Sequence, residues 1–166
     1  MIIIDNFLNE EYFKTVQNHM MGTFYSWHWC DGIVDPNDGK HQLVNLMFDV
    51  ESENVILDDF YSCIHPMLDK INKHVPIKQL LKIKCNFTYK TIEHEHGGLH
   101  IDYKDATTAI FYINTNNGWT NFKNGDKVEC IENRLVIFDS NLEHEGVTCT
   151  DEDRRVVINF NYVPAL

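Results

Sequence analysis

A chain of 166 residues with 14 basic and 25 acidic side chains carries a net charge of −11. That balance argues against a nucleic-acid backbone as the main partner, because such binding depends on lysine and arginine neutralising phosphates. The length suits one domain that buries its core without disulfide staples, and a hydrophobic content of 43% is ordinary for a globular protein.

Taken in chain order, residues 2–4 read as a short strand. A helix follows, capped by Asp5 or Asn9, with Phe13, Val16, Gln17 and Met20 along one side and its end at Gly22. Residues 23–48 alternate aromatic and polar positions on either side of the turn Asp35-Pro36-Asn37-Asp38-Gly39-Lys40, as two strands, or a strand and an excursion, would. Trp27 and Trp29 in this stretch are candidates for a substrate mouth, against the commoner fate of core or rim packing. Over residues 53–74, Ile56, Phe60, Ile64, Met67 or Leu68, and Ile71 recur at helical spacing, opposite Asp58, Asp59, Lys70 and Lys73. Val75-Pro76 ends that helix, and His65 and His74 fall on its surface.

From residue 80 the period changes to two. Leu81 to Tyr89 alternates with apolar or aromatic residues at the odd positions. Further strands are expected at 106–114, 118–122, 127–131, 134–139, about 145–149, and 155–163, divided by glycines and polar turns. Short strands at this spacing indicate a mainly β chain, an antiparallel jelly roll with supporting helices over one outer face. Residues 1–78 supply the N-terminal strands and helices, and 79–166 the jelly-roll core of the same domain. The five cysteines (Cys30, Cys63, Cys85, Cys130, Cys149) are odd in number and lack a Cys-x-x-Cys pair. They read as reduced thiols in a reducing compartment. Met1 to Asp5 is too short an apolar run for a signal peptide, and no stretch approaches a membrane span, so a cytoplasmic location without a membrane partner is expected.

Chemistry concentrates in two places. In an extended segment His100 and Asp102 point to one side while Ile101 points to the other. His144 follows the apolar run Leu135-Val136-Ile137-Phe138 and the turn Ser140-Asn141, where a strand gives way to a loop. Two histidines and a carboxylate cover one face of a divalent iron and leave positions open for other ligands. A competing zinc site would use His94, His96 and His100, although Gly97-Gly98 disfavours a helix aligning them and no cysteine lies nearby. Otherwise His94 and His96 lie on a polar loop at the rim. A non-catalytic β-sandwich binding module with incidental histidines is the third reading. In the last strand Arg155, Val157, Asn159 and Asn161 share one face, and Val156, Ile158, Phe160 and Tyr162 the other. Arg155 therefore faces a polar pocket lining, and Arg154 the apolar side. A guanidinium there suits a carboxylate, which it binds through two parallel hydrogen bonds. A surface ion pair with Asp151, Glu152 or Asp153 is the generic alternative.

Together His100-x-Asp102, His144 and the later arginine resemble the Fe(II)/2-oxoglutarate-dependent dioxygenases, and most closely their prolyl 4-hydroxylase-like branch. Thr108 to Asn114 resembles that branch's strand ending in Tyr-Leu-Asn, and Asp5-Asn6-Phe7-Leu8 its usual opening. Gly118-Trp119-Thr120-Asn121-Phe122 is similar to its Gly-Gly-x-Thr-x-Phe, with Trp119 in place of a glycine. Arg155 to Phe160 resembles its last core strand, although many members carry lysine where Arg155 stands. The likeness is good over roughly residues 80–163 and loose before them. It implies a double-stranded β-helix in which His100, Asp102 and His144 hold Fe(II). It also implies 2-oxoglutarate as cosubstrate, its distal carboxylate on Arg155, and O2 as the oxidant. Tyr112 is implied as a further hydrogen-bond donor to that carboxylate, and Tyr89 as a similar group nearer the metal. Thr108, which shares a strand face with Tyr112, and Asn159 complete the candidate cosubstrate-binding set. The implied reaction hydroxylates a prolyl or other peptidyl residue, or alternatively a free amino acid or small molecule.

Overall fold

The computed structural model describes residues 1–51 and 60–165. The chain begins with β1 (Ile2–Ile4) and α1 (Glu10–Met21). Asn9 caps α1 by accepting the Tyr12 N–H at 2.9 Å, Gly22 ends it, and Phe13, Val16 and Met20 form its buried side. Next come β2 (His28–Asp31), β3 (His41–Asp49) and α2 (Tyr61–Asn72), which buries Ile64, Met67 and Ile71. The front of the helix expected from residue 53, with Ile56, Asp58 and Asp59, lies outside the described residues. The remaining strands are β4 (Ile77–Tyr89), β5 (Thr107–Tyr112), β6 (Trp119–Phe122), β7 (Lys127–Glu129), β8 (Leu135–Asp139), β9 (His144–Val147) and β10 (Arg154–Pro164). Among the described residues no helix is long and apolar enough to cross a membrane.

Two antiparallel sheets result, a jelly roll as the alternation implies. The larger has the order β1-β8-β5-β10-β4-β3-β2, and the smaller β7-β6-β9. Residues 96–100 add to the smaller sheet through bridges from His96 to Val147 and His100 to His144. From β4 onward the chain therefore passes back and forth between the sheets. The larger sheet is covered on both faces. Ile83, Cys85, Phe111, Ile137, Ile158 and Phe160 pack with α1 and α2. On the other face Ile110, Tyr112, Val136, Phe138 and Val157 pack against Phe122 and Val128 of the smaller sheet. Strand alternation sorts each strand's residues between these faces. In β4 and β10 the inward face turns from apolar to polar and charged, and there the sheets separate around a cavity.

One side chain clamps the segment that follows β1. Asn133, in the turn before β8, accepts the Leu8 N–H at 2.8 Å and donates to the Leu8 carbonyl at 2.9 Å, while its own carbonyl accepts the Phe7 N–H. Its φ of 60° is one that asparagine tolerates better than most residues. Asn133→Ala should leave both buried Leu8 groups unpaired at about 1–3 kcal/mol each. Asn133→Gly should lose the same bonds without the backbone strain. Denaturant unfolding should rank wild type above Gly and Gly above Ala, and equal stability of all three would contradict the clamp.

Candidate metal centre

His100 and His144 are a backbone pair across the smaller sheet. The His100 N–H donates to the His144 carbonyl at 3.0 Å, and the His144 N–H to the His100 carbonyl at 2.9 Å. This pairing sets the rings side by side, with centroids 4.9 Å apart. His144 therefore opens strand β9, rather than sitting in a loop after a strand. Its ring packs edge-on to Phe138 at 4.9 Å. Asp102 bends back beneath both rings, with Oδ1 3.6 Å from His100 Nε2 and Oδ2 3.7 Å from His144 Nε2. One potential ligand atom from each of the three residues lies within 4.8 Å of the others.

The donor set fits a divalent metal. His100 Nδ1 is 2.8 Å from the Gly98 carbonyl, so the proton belongs on Nδ1 and the Nε2 lone pair faces the cluster. Asp102 accepts the Asn161 amide at 3.0 Å, and that amide also donates to Thr108 Oγ1 at 3.0 Å. Burial opposes ionisation of Asp102, but His100, His144 and Asn161 outweigh it and pull its carboxyl down to about 2. Burial also disfavours charge on the histidines. In His144 it prevails and lowers the pKa, whereas in His100 the Asp102 carboxylate and Gly98 carbonyl overcome it and raise the pKa. Two imidazoles and one carboxylate on one side leave the cavity side open, the arrangement expected of an iron that takes further ligands.

Behind the cluster, Glu145 ties the two histidine-bearing segments together. It turns outward from β9 and takes His96 Nδ1 at 2.7 Å, the Asn121 amide at 2.8 Å and the Gly98 N–H at 2.9 Å. Arg155 stands at the other end of the cavity, on the inward face of β10. It is 5% exposed, and among the described residues no carboxylate pairs with it. Its Nε donates to Cys130 Sγ at 3.1 Å and its Nη2 to Thr120 Oγ1 at 3.1 Å. Burial pushes the Cys130 thiol up, so the thiol stays neutral and does not cancel the guanidinium charge. Gly146 leaves room for the guanidinium, since a Cβ there would lie 3.1 Å from Arg155 Nη1. The cavity, about 260 Å³, runs from His100, Asp102 and His144 to Arg155.

The other residues singled out in the sequence divide. Asn159 lines the cavity, and its Oδ1 is buried without a hydrogen-bond partner. Tyr112 and Thr108 stand behind the wall. The Tyr112 hydroxyl bonds Thr120 Oγ1 at 2.6 Å and so reaches Arg155 through Thr120. Thr108 reaches Asp102 through Asn161. Tyr89 does not join the site. It lies on the opposite face of β4, 40% exposed and beside Phe87 and His41, because the inward face of β4 is the even one. The zinc trio is not assembled either, because His94 bonds the Thr148 carbonyl and His96 bonds Glu145. Both rings instead pack edge-on to Trp119. Trp27 packs against the core, and Trp29 stacks on His41 at the exposed edge. Glu145, Gly146 and Lys84 are further site residues that no sequence motif singled out; Lys84 lies on the even face of β4, which lines the cavity.

No protein-family model and no curated protein matches this sequence. Solved structures do match in fold. A 2OG-Fe(II) oxygenase-family oxidoreductase from Burkholderia pseudomallei superposes with a TM-score of 0.72 at 8% identity, over 98% of this chain and 84% of that one. A prolyl hydroxylase from Trichoplax adhaerens, in complex with a hypoxia inducible factor peptide fragment, gives 0.64 at 18% identity over 97% and 82%. A prolyl-4-hydroxylase from Pseudomonas putida gives 0.61 at 13% identity over 97% and 91%. The chain thus has the fold of the 2OG-Fe(II) oxygenases, prolyl hydroxylases among them.

Asp102 is the only anionic member of the cluster. Asp102→Ala should abolish retention of Fe(II) through anaerobic desalting, read by metal quantification. Asn161→Ala should weaken metal affinity by about 10–100-fold, the usual effect of removing a group that orients a ligand. Full metal retention by Asp102→Ala would contradict the three-residue cluster.

Proposed function

We propose that this chain is an Fe(II)- and 2-oxoglutarate-dependent oxygenase, coupling oxidative decarboxylation of 2-oxoglutarate to hydroxylation of a second substrate. The carrying observation is one cavity with an open-faced His-Asp-His cluster at one end and a buried, unpaired guanidinium at the other. A buried cation without a counter-ion is costly, and the distal carboxylate of 2-oxoglutarate relieves that cost at Arg155. Thr120, itself held by Tyr112, and Cys130 fix the guanidinium plane for the carboxylate. Asn161 orients Asp102, and the Gly98 carbonyl orients His100. Ile110 and Val157 supply apolar wall between the cluster and the guanidinium. Iron bound at His100, Asp102 and His144 would supply the O2 chemistry that side chains lack.

The likeness to prolyl hydroxylases supports a prolyl or other peptidyl substrate. A cavity of about 260 Å³ also admits the second reading, a free amino acid or other small molecule.

Iron-loaded protein given 2-oxoglutarate and air should form succinate, and omission of iron should abolish it. Arg155→Ala should lower succinate formation at limiting 2-oxoglutarate by about 30-fold or more, the range seen when one partner of a buried charge pair is removed. Gly146→Ala, which crowds the guanidinium, should raise the KM for 2-oxoglutarate while leaving iron retention unchanged. Undiminished succinate from Arg155→Ala would move the anchor elsewhere. Failure of the iron-loaded protein to bind 2-oxoglutarate would overturn the oxygenase reading.

A further inference from the structure

The cavity holds two lysines besides Arg155, and they differ in one respect. Lys82 pairs with Asp49 at 3.5 Å and lies over the Tyr103 ring at 5.0 Å. Lys84, half-buried on the inward face of β4, has no such partner. Among the described residues no carboxylate lies within ion-pair distance of it and no acceptor takes a hydrogen bond from its ammonium. The negative charge of Asp102 reaches it, but that group belongs to the metal cluster. Burial lowers the lysine's pKa, so an arriving anion would stabilise the charged form.

Its position separates it from the cosubstrate anchor. Lys84 is in register with Asn159, and Arg155 with Thr88. Four residue steps of strand, about 13 Å at ~3.3 Å per residue, separate Arg155 from Asn159. Lys84 therefore stands at the metal end, two register pairs along from Asn161, which bonds Asp102. Beside it the Asn159 Oδ1 is a buried acceptor without a donor. A cation next to a vacant acceptor matches the carboxylate and ammonium of a zwitterion.

The nearby wall restricts size. Ile33 and Val34 come from the turn between β2 and β3 and pack on Gly97 and Gly98, where added Cβ atoms would lie 3.3 and 3.2 Å from their methyl groups. Asp38 holds that turn by accepting the Ile33 and Val34 N–H groups, and Lys40 Nζ donates to the His96 and Gly97 carbonyls at 2.7 and 3.1 Å. Ile33 and Val34 thus form a fastened wall of the same cavity, about 260 Å³, that Lys84 and Asn159 line.

Resting on the oxygenase reading, we propose that the second substrate is a free α-amino acid, with its carboxylate on Lys84 and its ammonium on Asn159 Oδ1. In the reaction a C–H bond of the amino acid breaks and a C–O bond forms. O2 delivers one atom to that hydroxyl and one to succinate, and 2-oxoglutarate is oxidised with loss of CO2.

Calorimetry on protein loaded with Mn(II) and 2-oxoglutarate tests this without turnover, using the free L-amino acids, their carboxamides and end-capped prolyl peptides. At least one amino acid should bind, with its carboxamide weaker by about tenfold or more, as expected for loss of a charge-assisted contact. Lys84→Met should remove that preference while 2-oxoglutarate affinity stays at the wild-type value, and Lys84→Arg should retain part of it. Mass spectrometry of the iron-loaded reaction should find one added oxygen on the same amino acid. The proposal is overturned if no amino acid binds, if carboxamides or capped peptides bind as well, or if Lys84→Met keeps the preference. It is also overturned if that variant loses 2-oxoglutarate instead. In all these outcomes the oxygenase reading survives as long as wild-type protein binds 2-oxoglutarate; if it does not, both fall.

Discussion

The site depends on β10 being a central strand with both faces covered. It lies between β4 and β5, so its backbone is paired on both edges. Its even residues, Val156, Ile158, Phe160 and Tyr162, are committed to the helix-covered core. Its odd residues, Arg155, Val157, Asn159 and Asn161, must then face the smaller sheet. A slip of one residue would exchange the two sets, burying the charged and amide groups in an apolar core. The helix-side packing thus places the guanidinium and amides as firmly as any contact of their own. Opposite them, the His100–His144 bridge holds two potential ligands in register from the smaller sheet.

Charge within the cavity opposes charge on the whole chain. The protein carries −11 overall, yet Arg155, Lys82 and Lys84 face the cavity, and the only carboxylate among its lining residues is Asp102. With a divalent metal on Asp102 the interior would be strongly positive. A buried guanidinium without a counter-ion among the described residues adds little stability of its own, which is the ground for the anion proposed at Arg155. The neutral Cys130 thiol and the Thr120 hydroxyl solvate Arg155 without discharging it.

How far the sequence revealed this depends on whether a residue's role is local. The period-two alternation of β4 and β10 is local, so the β architecture and the opposite faces taken by Arg155 and Arg154 could be read directly. Arg154 does turn to the other face, over the Phe87 ring. His100 and Asp102 were legible from their spacing, and His144 from its place after an apolar strand. Tyr89 is odd-numbered in β4, and strand phase therefore turns it away from the cavity that the even positions line. Tyr112 and Thr108 act through Thr120 and Asn161, partners on neighbouring strands that only the folded register identifies. Gly146 and Glu145 owe their roles to contacts across the smaller sheet, with Arg155 on one face and the His96–Gly98 segment on the other. Lys84 stands out because it has no counter-ion among the described residues, which becomes visible only when its surroundings are known.

The most direct measurement is anaerobic titration of 2-oxoglutarate into the protein with and without Fe(II), followed by calorimetry. A metal cluster and a guanidinium sharing one cavity should give binding that requires the metal and is lost in Arg155→Ala, although that variant still retains iron. Binding of equal strength without metal, or in Arg155→Ala, would contradict a ligand held at both ends.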